Sequence, residues 1–492
     1  MSITLFNEIV SAFSNRPDKV CFLTASGKPV TGIEFLKKIE TIQKNLLTEF
    51  SNSFLYKKRV IVNIDNVENY LATLYALNSL SSTVVPLFSQ DIEYIQKIYE
   101  KVNAIAYITD KNTMKLSSNY MTVPLRQLLE QSFGSLSISN RYNPEALIIY
   151  TSGTTGVPKG VILGNSGISH VTSFMNRYMQ VDSSISEIVM APLDHAFGFG
   201  RCHAVLKAGG SLFADSSRLN VRIMLDALEE KKINAVSIMP AQLTQIMKVV
   251  KSSLINVSNN LKWLQTGAMR FKTEDKNVLC EIFPKTTICM HFGMSESMRT
   301  TFINLNEEPD KRHTEGRASE GTQITIMDEE KNILPPNTEG YIAIRGKSLA
   351  LGYVDHEFWE KSLYNGWFIS NDRAFLDEEG YVHYCGRADD IINLNGLLIH
   401  PDEVENKLKP ILSQYNFTVA GIPDPRGVRD RVIALFIEGE KDIHINTRYI
   451  LKYLKDIDKH LVPSYIFWVD LFPRTKTGKV IRSKLYQLVQ MQ

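Results

Sequence analysis

The stretch that decides the fold is Y-T-S-G-T-T-G-V-P-K-G-V, residues 150–161. Apolar runs at 146–149 and 161–163 flank it, so it is predicted to form a glycine-rich loop between two strands. Glycines let a backbone turn and approach an anion closely, while hydroxyls and a lysine donate hydrogen bonds and positive charge. The pattern therefore predicts a polyphosphate-binding loop built from Thr151, Ser152, Gly153, Thr154, Thr155, Gly156 and Lys159.

This loop differs from the P-loop pattern G-x-x-x-x-G-K-[ST], because no serine or threonine follows Lys159 to hold magnesium. A plain surface turn would explain the glycines and Pro158. It would not explain so many hydroxyls beside one lysine.

The segments around the loop indicate an α/β fold. Strand-like runs such as 59–64 and 104–109 alternate with helix-like stretches such as 69–80 and 92–102, which is typical of a largely parallel sheet. From Thr322 onward a smaller β-rich section is expected. A polar break at 386–390 precedes about one hundred residues, enough for a small domain. We therefore predict a large N-terminal region, 1–386, and a small α+β C-terminal domain, 387–492.

Composition excludes several classes of protein. The chain of 492 residues carries 55 basic and 53 acidic residues, so its net charge of +2 does not favour nucleic acid or an anionic membrane. Five cysteines form no C-x-x-C pair, and the N-terminus does not resemble a secretory signal, so a cytoplasmic location is expected. The apolar runs are shorter than the roughly 20 residues that span a bilayer.

Five further motifs occur in order along the chain: A-P-L-D-H-A-F-G-F-G-R (191–201), H-F-G-M-S-E (291–296), G-W-F-I-S-N-D (366–372), G-R-A-D-D (386–390) and P-R-T-K-T-G-K-V-I-R (473–482). Together with the glycine-rich loop they resemble the adenylate-forming superfamily, which includes acyl- and aryl-CoA ligases, adenylation domains of nonribosomal peptide synthetases and firefly luciferase. The segment Q-T-G-A-M (265–269) lies where that family has a glycine-rich, adenine-contacting segment.

The resemblance implies a site for ATP and a magnesium ion. A carboxylate is a hard oxygen ligand suited to magnesium, and an ammonium can stabilise charge on a transferring phosphoryl group. The implied roles are adenine contact (Gly267, Ala268, Phe292), α-phosphate contact (Ser295), magnesium binding (Glu296), ribose contact (Asp372, Arg387) and catalysis (Lys479, with Glu296 and Lys159). The same resemblance makes the C-terminal domain a mobile lid that rotates about a hinge near Asp389.

The acyl group is expected in a mainly apolar pocket made by Phe197, Gly198, Met239 and Met294, with His195 of the same motif beside it, which suits a fatty or aromatic acid. Amino-acid-activating domains carry an aspartate at the position aligned with His195. Asp194 lies one residue away, so an amino-acid substrate stays open.

Two arginines near the pocket motifs, Arg201 and Arg299, suggest a second possibility. Either side chain would pair with the distal carboxylate of a dicarboxylic acid.

The resulting expectation is ATP-dependent activation of a carboxylic acid to an acyl-adenylate, followed by transfer to a thiol, most simply that of coenzyme A. Two alternatives stay open. One is a stand-alone enzyme that loads an acyl or amino acid onto the phosphopantetheine arm of an acyl carrier protein. The other is a nucleotide-binding protein without catalytic activity.

Overall fold

The computed structural model describes residues 4–23, 28–111, 116–130, 141–151, 159–214, 220–269, 271–394, 397–426, 431–440, 442, 446–475 and 478–490. These residues form two compact units. The first comprises 4–151, 159–323 and 344–368, and the second comprises 324–343 and 369–490.

Fifteen α-helices lie within the described residues: α1 Leu5–Ser14, α2 Gly32–Glu49, α3 Asn52–Leu55, α4 Val67–Ser79, α5 Ile92–Lys101, α6 Leu125–Leu129, α7 Asn165–Tyr178, α8 Ala196–Lys207, α9 Val221–Glu229, α10 Pro240–Val257, α11 Thr273–Ile282, α12 His356–Lys361, α13 Pro401–Leu412, α14 Thr447–Ile457 and α15 Leu485–Gln490. Short 3₁₀ turns occupy Ser258–Asn260, Pro309–Lys311, Ala388–Asp390, Lys459–Leu461 and Arg482–Lys484.

The strands of the α/β region are β1 Val20–Leu23, β2 Val30–Thr31, β3 Arg59–Asn63, β4 Thr83–Pro86, β5 Ala104–Thr109, β6 Thr122–Pro124, β7 Glu145–Thr151, β8 Lys159–Gly164, β9 Ser186–Val189, β10 Ser211–Phe213, β11 Ala235–Ser237, β12 Trp263–Gly267, β13 Thr287–His291, β14 Thr301–Asn304 and β15 Arg317–Ala318. Those that follow are β16 Thr322–Met327, β17 Gly340–Gly346, β18 Gly352–Tyr353, β19 Leu363–Tyr364, β20 Trp367–Leu376, β21 Val382–Arg387, β22 Ile392–Leu394, β23 Leu397–Ile399, β24 Phe417–Pro423, β25 Arg431–Glu438 and β26 Tyr465–Val469.

The first unit contains two large sheets. The nine-stranded sheet has the order β15–β14–β13–β12–β11–β9–β10–β1–β2, and its six central strands, from β13 to β1, run parallel. The seven-stranded sheet has the order β18–β8–β7–β4–β3–β5–β6. Its strands β7 and β8 pair antiparallel on either side of the glycine-rich stretch, which confirms that this stretch connects two strands. The predicted α/β fold is confirmed.

Helices lie between these two sheets. Helix α4 packs on β3 and β4 of one sheet, α8 packs on β9 and β10 of the other, and α1 contacts both helices. One apolar core joins them, and apolar side chains of both sheets contribute to it. Every residue of α8 from Ala196 to Leu206 is buried. This helix is therefore buried on all sides, as expected of an element enclosed between layers, and its polar side chains Arg201 and His203 are buried with it.

The β-rich section forms a five-stranded sheet in which β19 and β21 both run antiparallel to β20. The sheet has the order β16–β17–β20–β19, and β21 pairs with β20. Asn365 and Gly366 have φ values of 48° and 77° and connect β19 to β20. Positive φ at both central residues is the geometry of a two-residue hairpin turn, and asparagine followed by glycine favours it.

The C-terminal part of the second unit has its own sheet and core. Strands β24, β25 and β26 form a three-stranded sheet, against which α13 and α14 pack through residues such as Leu408 and Leu454. The boundary at 386 and the rotation of 387–492 as a lid stay predictions. No helix in the described part of the chain is long and apolar enough to cross a membrane.

Candidate active site

The end of strand β12 makes a sharp turn beside strand β13. Gly267 has a φ of 149° and Ala268 a φ of 63°. A Cβ on Gly267 would lie 2.2 Å from the carbonyl oxygen of His291, so only glycine fits there. The predicted adenine-contacting segment is thus a turn in which two strand ends approach closely. The backbone strain at Ala268 is of the kind that concentrates at functional sites.

The segment after β13 carries three of the predicted nucleotide residues. Met294 and Ser297 pair through their backbones, with N···O distances of 3.1 and 3.2 Å, and this tight turn presents Ser295 and Glu296. Phe292, Ser295 and Glu296 are all half-buried, although the strand before them and the residues after them are buried. These three side chains therefore keep surface for a ligand.

The carboxylate of Glu296 is held by a tyrosine that the sequence did not single out. The hydroxyl of Tyr353 donates to Oε1 of Glu296 at 2.5 Å. Among the described residues no group of three or more histidine, cysteine, aspartate or glutamate side chains lies together to hold a metal ion. A magnesium ion at Glu296 would take its other oxygens from the nucleotide or from water, which is how magnesium is usually bound. The carboxylate of Glu296, a hard oxygen ligand, fits this way of binding magnesium.

Lys159 begins strand β8, directly opposite Thr151 of β7 in the antiparallel register. Its ammonium lies 5.3 Å from the ring centre of Tyr353 and 5.3 Å from that of Phe358. Cation–π contacts of this length are favourable, so they hold the Lys159 ammonium near Tyr353, the residue that donates to Glu296. The other predicted loop residues, Ser152, Gly153, Thr154, Thr155 and Gly156, lie outside the described residues.

Three of the predicted acyl-pocket residues, His195, Phe197 and Gly198, lie at the start of helix α8. His195 caps the helix and is half-buried, as is Met294. The Phe197 ring packs edge-on against the His291 ring at 4.8 Å and is 4 % exposed. A Cβ on Gly198 would lie 2.2 Å from the carbonyl oxygen of Pro192. Phe197 and Gly198 thus form a buried wall, while His195 and Met294 retain exposed surface.

The structure contradicts the idea that Arg201 or Arg299 awaits a second substrate carboxylate. Nη2 of Arg201 pairs with Oε2 of Glu187 at 3.0 Å, and both side chains are fully buried. Nη1 and Nη2 of Arg299 donate to the carbonyls of Ala196 and Phe197 at 2.6 and 2.9 Å. Both guanidinium groups are committed to the protein. The prediction that they bind a second substrate carboxylate was wrong because closeness to the pocket motifs in sequence does not show which way a side chain points.

The predicted ribose pair lies in the second unit. Asp372 of β20 and Arg387 of β21 are directly opposite in the antiparallel register, with Arg387 Nη1 3.5 Å from Asp372 Oδ1. The hydroxyl of Tyr384 donates to the same oxygen at 3.1 Å. Burial raises the pKa of Asp372, and the positive charges of Arg387 and Lys479 oppose that rise. The two predicted ribose residues are therefore brought together.

Lys479 is electrostatically coupled to this pair. Neighbouring protein groups desolvate the Lys479 ammonium and, together with repulsion from Arg387, lower its pKa, while attraction to Asp390 and Asp372 opposes this shift. Although the residue as a whole is exposed, it lies in a tight turn in which the Lys479 N–H donates to Oγ1 of Thr475 at 3.1 Å. The charge of Lys479 therefore acts on Asp372 and Arg387.

The predicted hinge is flanked by a half-buried arginine. Asp389 lies in the 3₁₀ turn Ala388–Asp390, is exposed, and pairs with Arg387 at 3.1 Å. Arg482 bridges Asp390 at 3.2 Å, Asp402 at 2.6 Å and Glu405 at 2.8 Å. Arg482 thus ties the segment after Lys479 to the segment after Asp389. This role of Arg482 was not predicted from the sequence, although Arg482 is the last residue of the motif at 473–482.

Comparison with known proteins identifies the family. The family model described as AMP-binding enzyme matches residues 12–354, well over half of the chain. The feruloyl-CoA synthase of Amycolatopsis sp is 25% identical over 437 residues, which cover 85% of this chain and 86% of that one. The medium-chain fatty-acid–CoA ligase of Escherichia coli (strain K12) is 26% identical over 377 residues, 74% of this chain and 65% of that one.

A solved structure of similar fold is the o-succinylbenzoate coenzyme A synthetase (MenE) from Bacillus subtilis in complex with ATP and magnesium ion. It superposes with a TM-score of 0.86 at 19% identity and covers 98% of this chain and 99% of that one. The chain belongs to the AMP-binding enzyme family. Within it, this is an adenylate-forming enzyme of the acyl- and aryl-CoA ligase type, an AMP-forming acid–thiol ligase.

Proposed function

We propose that this enzyme uses ATP and magnesium to convert a fatty or aromatic carboxylic acid into an acyl-adenylate and then transfers the acyl group to coenzyme A. The observation that carries the proposal is the group formed by Asp372, Arg387 and Lys479. Asp372 lies 3.5 Å from Arg387 and is acted on by the charge of Lys479, so its carboxylate would accept hydrogen bonds from ribose hydroxyls and Lys479 would contact the α-phosphate.

In the first half-reaction, a carboxylate oxygen of the acid bonds to the α-phosphorus of ATP, and the bond from that phosphorus to pyrophosphate breaks. Negative charge on the transferring phosphoryl group is stabilised by the ammonium of Lys479. Lys159 would contact the departing phosphates from the start of β8. Phe292, Gly267 and Ala268 would contact adenine, and Ser295 the α-phosphate.

Glu296 would hold the magnesium ion, which supplies charge neutralisation on the phosphate oxygens when bound. The chain's own contribution is to fix that carboxylate, and the hydrogen bond from Tyr353 does so.

In the second half-reaction, the sulfur of the thiol bonds to the acyl carbon and AMP leaves with the electron pair of the broken C–O bond. Activation is needed because a free carboxylate would have to expel oxide. No protein cysteine takes part in these steps. Residues 387–492 would act as the lid that rotates about Asp389 between the half-reactions, since a hinge needs only a few residues that absorb backbone change.

The acid is proposed to be apolar near its carboxyl group. Phe197 and Gly198 form a buried wall, and His195 and Met294 supply the remaining surface. The named relatives, a feruloyl-CoA synthase and a medium-chain fatty-acid–CoA ligase, act on an aromatic and a fatty acid respectively, in keeping with either class.

The test is acid-dependent release of pyrophosphate from ATP and magnesium across fatty, aromatic, dicarboxylic and amino acids. Each reaction is run with coenzyme A, with a phosphopantetheinylated acyl carrier protein, or with neither. Release with one acid class, stimulated by coenzyme A and giving the acyl thioester, is the expected result.

If the acyl thioester forms only on the carrier protein, the thiol acceptor is the carrier protein and not coenzyme A. Binding of ATP without pyrophosphate release from any acid in the panel would favour the inactive nucleotide-binding alternative.

A further inference from the structure

A short segment, residues 350–354, is hydrogen-bonded to two elements of the first unit that carry predicted site residues. At one end the N–H of Ala350 donates to the carbonyl of Glu296 at 2.8 Å. At the other end β18 pairs with β8, where the N–H of Val354 donates to the carbonyl of Gly160 at 2.8 Å. The segment therefore fixes the backbone of Glu296 relative to the strand that begins at Lys159.

Tyr353 repeats this connection with its side chain. Its hydroxyl donates to Glu296 Oε1 at 2.5 Å, and its ring centre lies 5.3 Å from the ammonium of Lys159. The residue is only 4 % exposed. One aromatic side chain thus contacts an anion through its edge oxygen and a cation through its ring.

The ring of Tyr353 has little freedom to move. Trp359 packs edge-on against it at 5.3 Å, and Trp359 in turn stacks on Phe368 at 5.0 Å. All three rings are buried, and aromatic pairs at these distances attract one another. The hydroxyl is therefore presented to Glu296 from a rigid support.

We propose that Tyr353 is a positioning residue of the adenylation site, which sets the Glu296 carboxylate and the Lys159 ammonium at a fixed separation for the magnesium complex of ATP. This inference rests on the proposed function. A hydroxyl bound to Oε1 orients the carboxylate and leaves it acceptor capacity for a cation. Hydrogen bonds to a charged group are stronger than neutral ones, so their removal is measurable.

The hydroxyl and the ring are separated by substitution. Tyr353→Phe keeps the ring beside Lys159 and removes only the hydroxyl. Tyr99→Phe is the matched control, because it removes the hydroxyl of another buried tyrosine of the same unit. Equilibrium binding of α,β-methylene ATP, which cannot be cleaved between its α- and β-phosphates, is measured with and without magnesium.

The expected result is a Kd for the analogue with magnesium raised about tenfold by Tyr353→Phe, the usual effect of removing a hydrogen bond that orients a metal ligand. The Kd without magnesium stays near that of the Tyr99→Phe control. In a Glu296→Gln background, Tyr353→Phe has no further effect, because the hydroxyl acts through that carboxylate.

The proposal is overturned if Tyr353→Phe changes the Kd of the analogue by less than twofold, or weakens binding equally with and without magnesium. It is also overturned if Tyr353→Phe weakens binding to the full extent in the Glu296→Gln background, or if magnesium leaves the wild-type Kd unchanged. The binding measurement tests the role of Tyr353 without requiring the enzyme to turn over. Absence of pyrophosphate release from wild-type enzyme with every acid would instead remove the proposed function and leave the binding result standing.

Discussion

Replacing Arg201 by methionine tests whether this arginine is structural. Arg201 Nη2 lies 3.0 Å from Oε2 of Glu187, its Nε lies 3.4 Å from Oε1, and neither side chain has exposed surface. The guanidinium also lies 4.5 Å from the Trp263 ring centre. Arg201→Met leaves a buried carboxylate without its partner.

The expected cost is about 3–5 kcal/mol, the usual result of removing one member of a buried ion pair. That corresponds to roughly a 10²–10⁴-fold shift in the unfolding equilibrium. The control is Arg177→Met. Arg177 pairs with Glu320 at 2.7 Å, but both side chains are 58% exposed, so a cost of about 0–1 kcal/mol is expected.

The defect should depend on pH. Burial raises the pKa of Glu187 above its ordinary 4.5, and Arg201 opposes that rise. Without the arginine the folded pKa rises further. A carboxyl with a raised folded pKa loses stability as pH increases from the unfolded pKa to the folded one. The Arg201→Met defect is therefore largest at neutral and alkaline pH and shrinks as pH falls toward 4.5.

Urea unfolding followed by tryptophan fluorescence measures the change, since Trp263 lies against the pair. The double variant Glu187→Met/Arg201→Met should recover most of the loss, because it removes both charges. Steady-state kinetics with mono- and dicarboxylic acids complete the test. An unchanged unfolding midpoint with selective loss of activity on a dicarboxylic acid would refute the reasoning and return Arg201 to the substrate.

Three further results are expected. Lys479→Ala should lower acyl-adenylate formation by about 10²-fold or more, while conversion of a supplied acyl-adenylate to thioester stays within about twofold of wild type. The control is Lys484→Ala, which changes an exposed lysine of the same segment. Equal loss of both half-reactions would contradict the assignment of Lys479 to the first half-reaction. Gly267→Ala should destabilise the first unit by about 1–3 kcal/mol and weaken ATP binding, since its Cβ would lie 2.2 Å from a neighbouring carbonyl oxygen; a fully stable variant would refute this. The hydrogen bond to Glu339 raises the pKa of His400 above 6.5, so the stability it provides is complete below that pH and is lost as pH rises through the folded pKa; urea midpoints should fall over that window, and Glu339→Gln should abolish the fall.

Local sequence pattern predicted the frame of the site well. The strands on either side of the glycine-rich loop were expected from the apolar runs at 146–149 and 161–163, and they pair as β7 and β8. The Asp372–Arg387 pair was expected only from the family resemblance, and one hairpin sets its register in the structure. Such features depend on alternation and turn residues, which a sequence carries directly.

Contacts between distant segments were not predictable in the same way. Tyr353 reaches Glu296 across 57 residues, and this depends on the two-residue strand β18 joining the edge of a sheet. Arg201 was misread because α8 is buried on all sides, so periodicity does not show which face of the helix meets Glu187. In both cases the deciding information is tertiary.

Two arginine–carboxylate pairs show why burial, more than pairing, separates structural from ligand-binding charges. Arg201 and Glu187 are 3.0 Å apart and have no exposed surface, so either can change partner only if the core opens. Arg387 and Asp372 are 3.5 Å apart, with side chains 21% and 10% exposed. The longer contact is a weaker bond with access to solvent, and in the proposed function ribose hydroxyls would replace part of it at little cost in desolvation. Residue type and motif position were similar for Arg201 and Arg387, whereas the surface left on each side chain differs and decides which of them can serve a ligand.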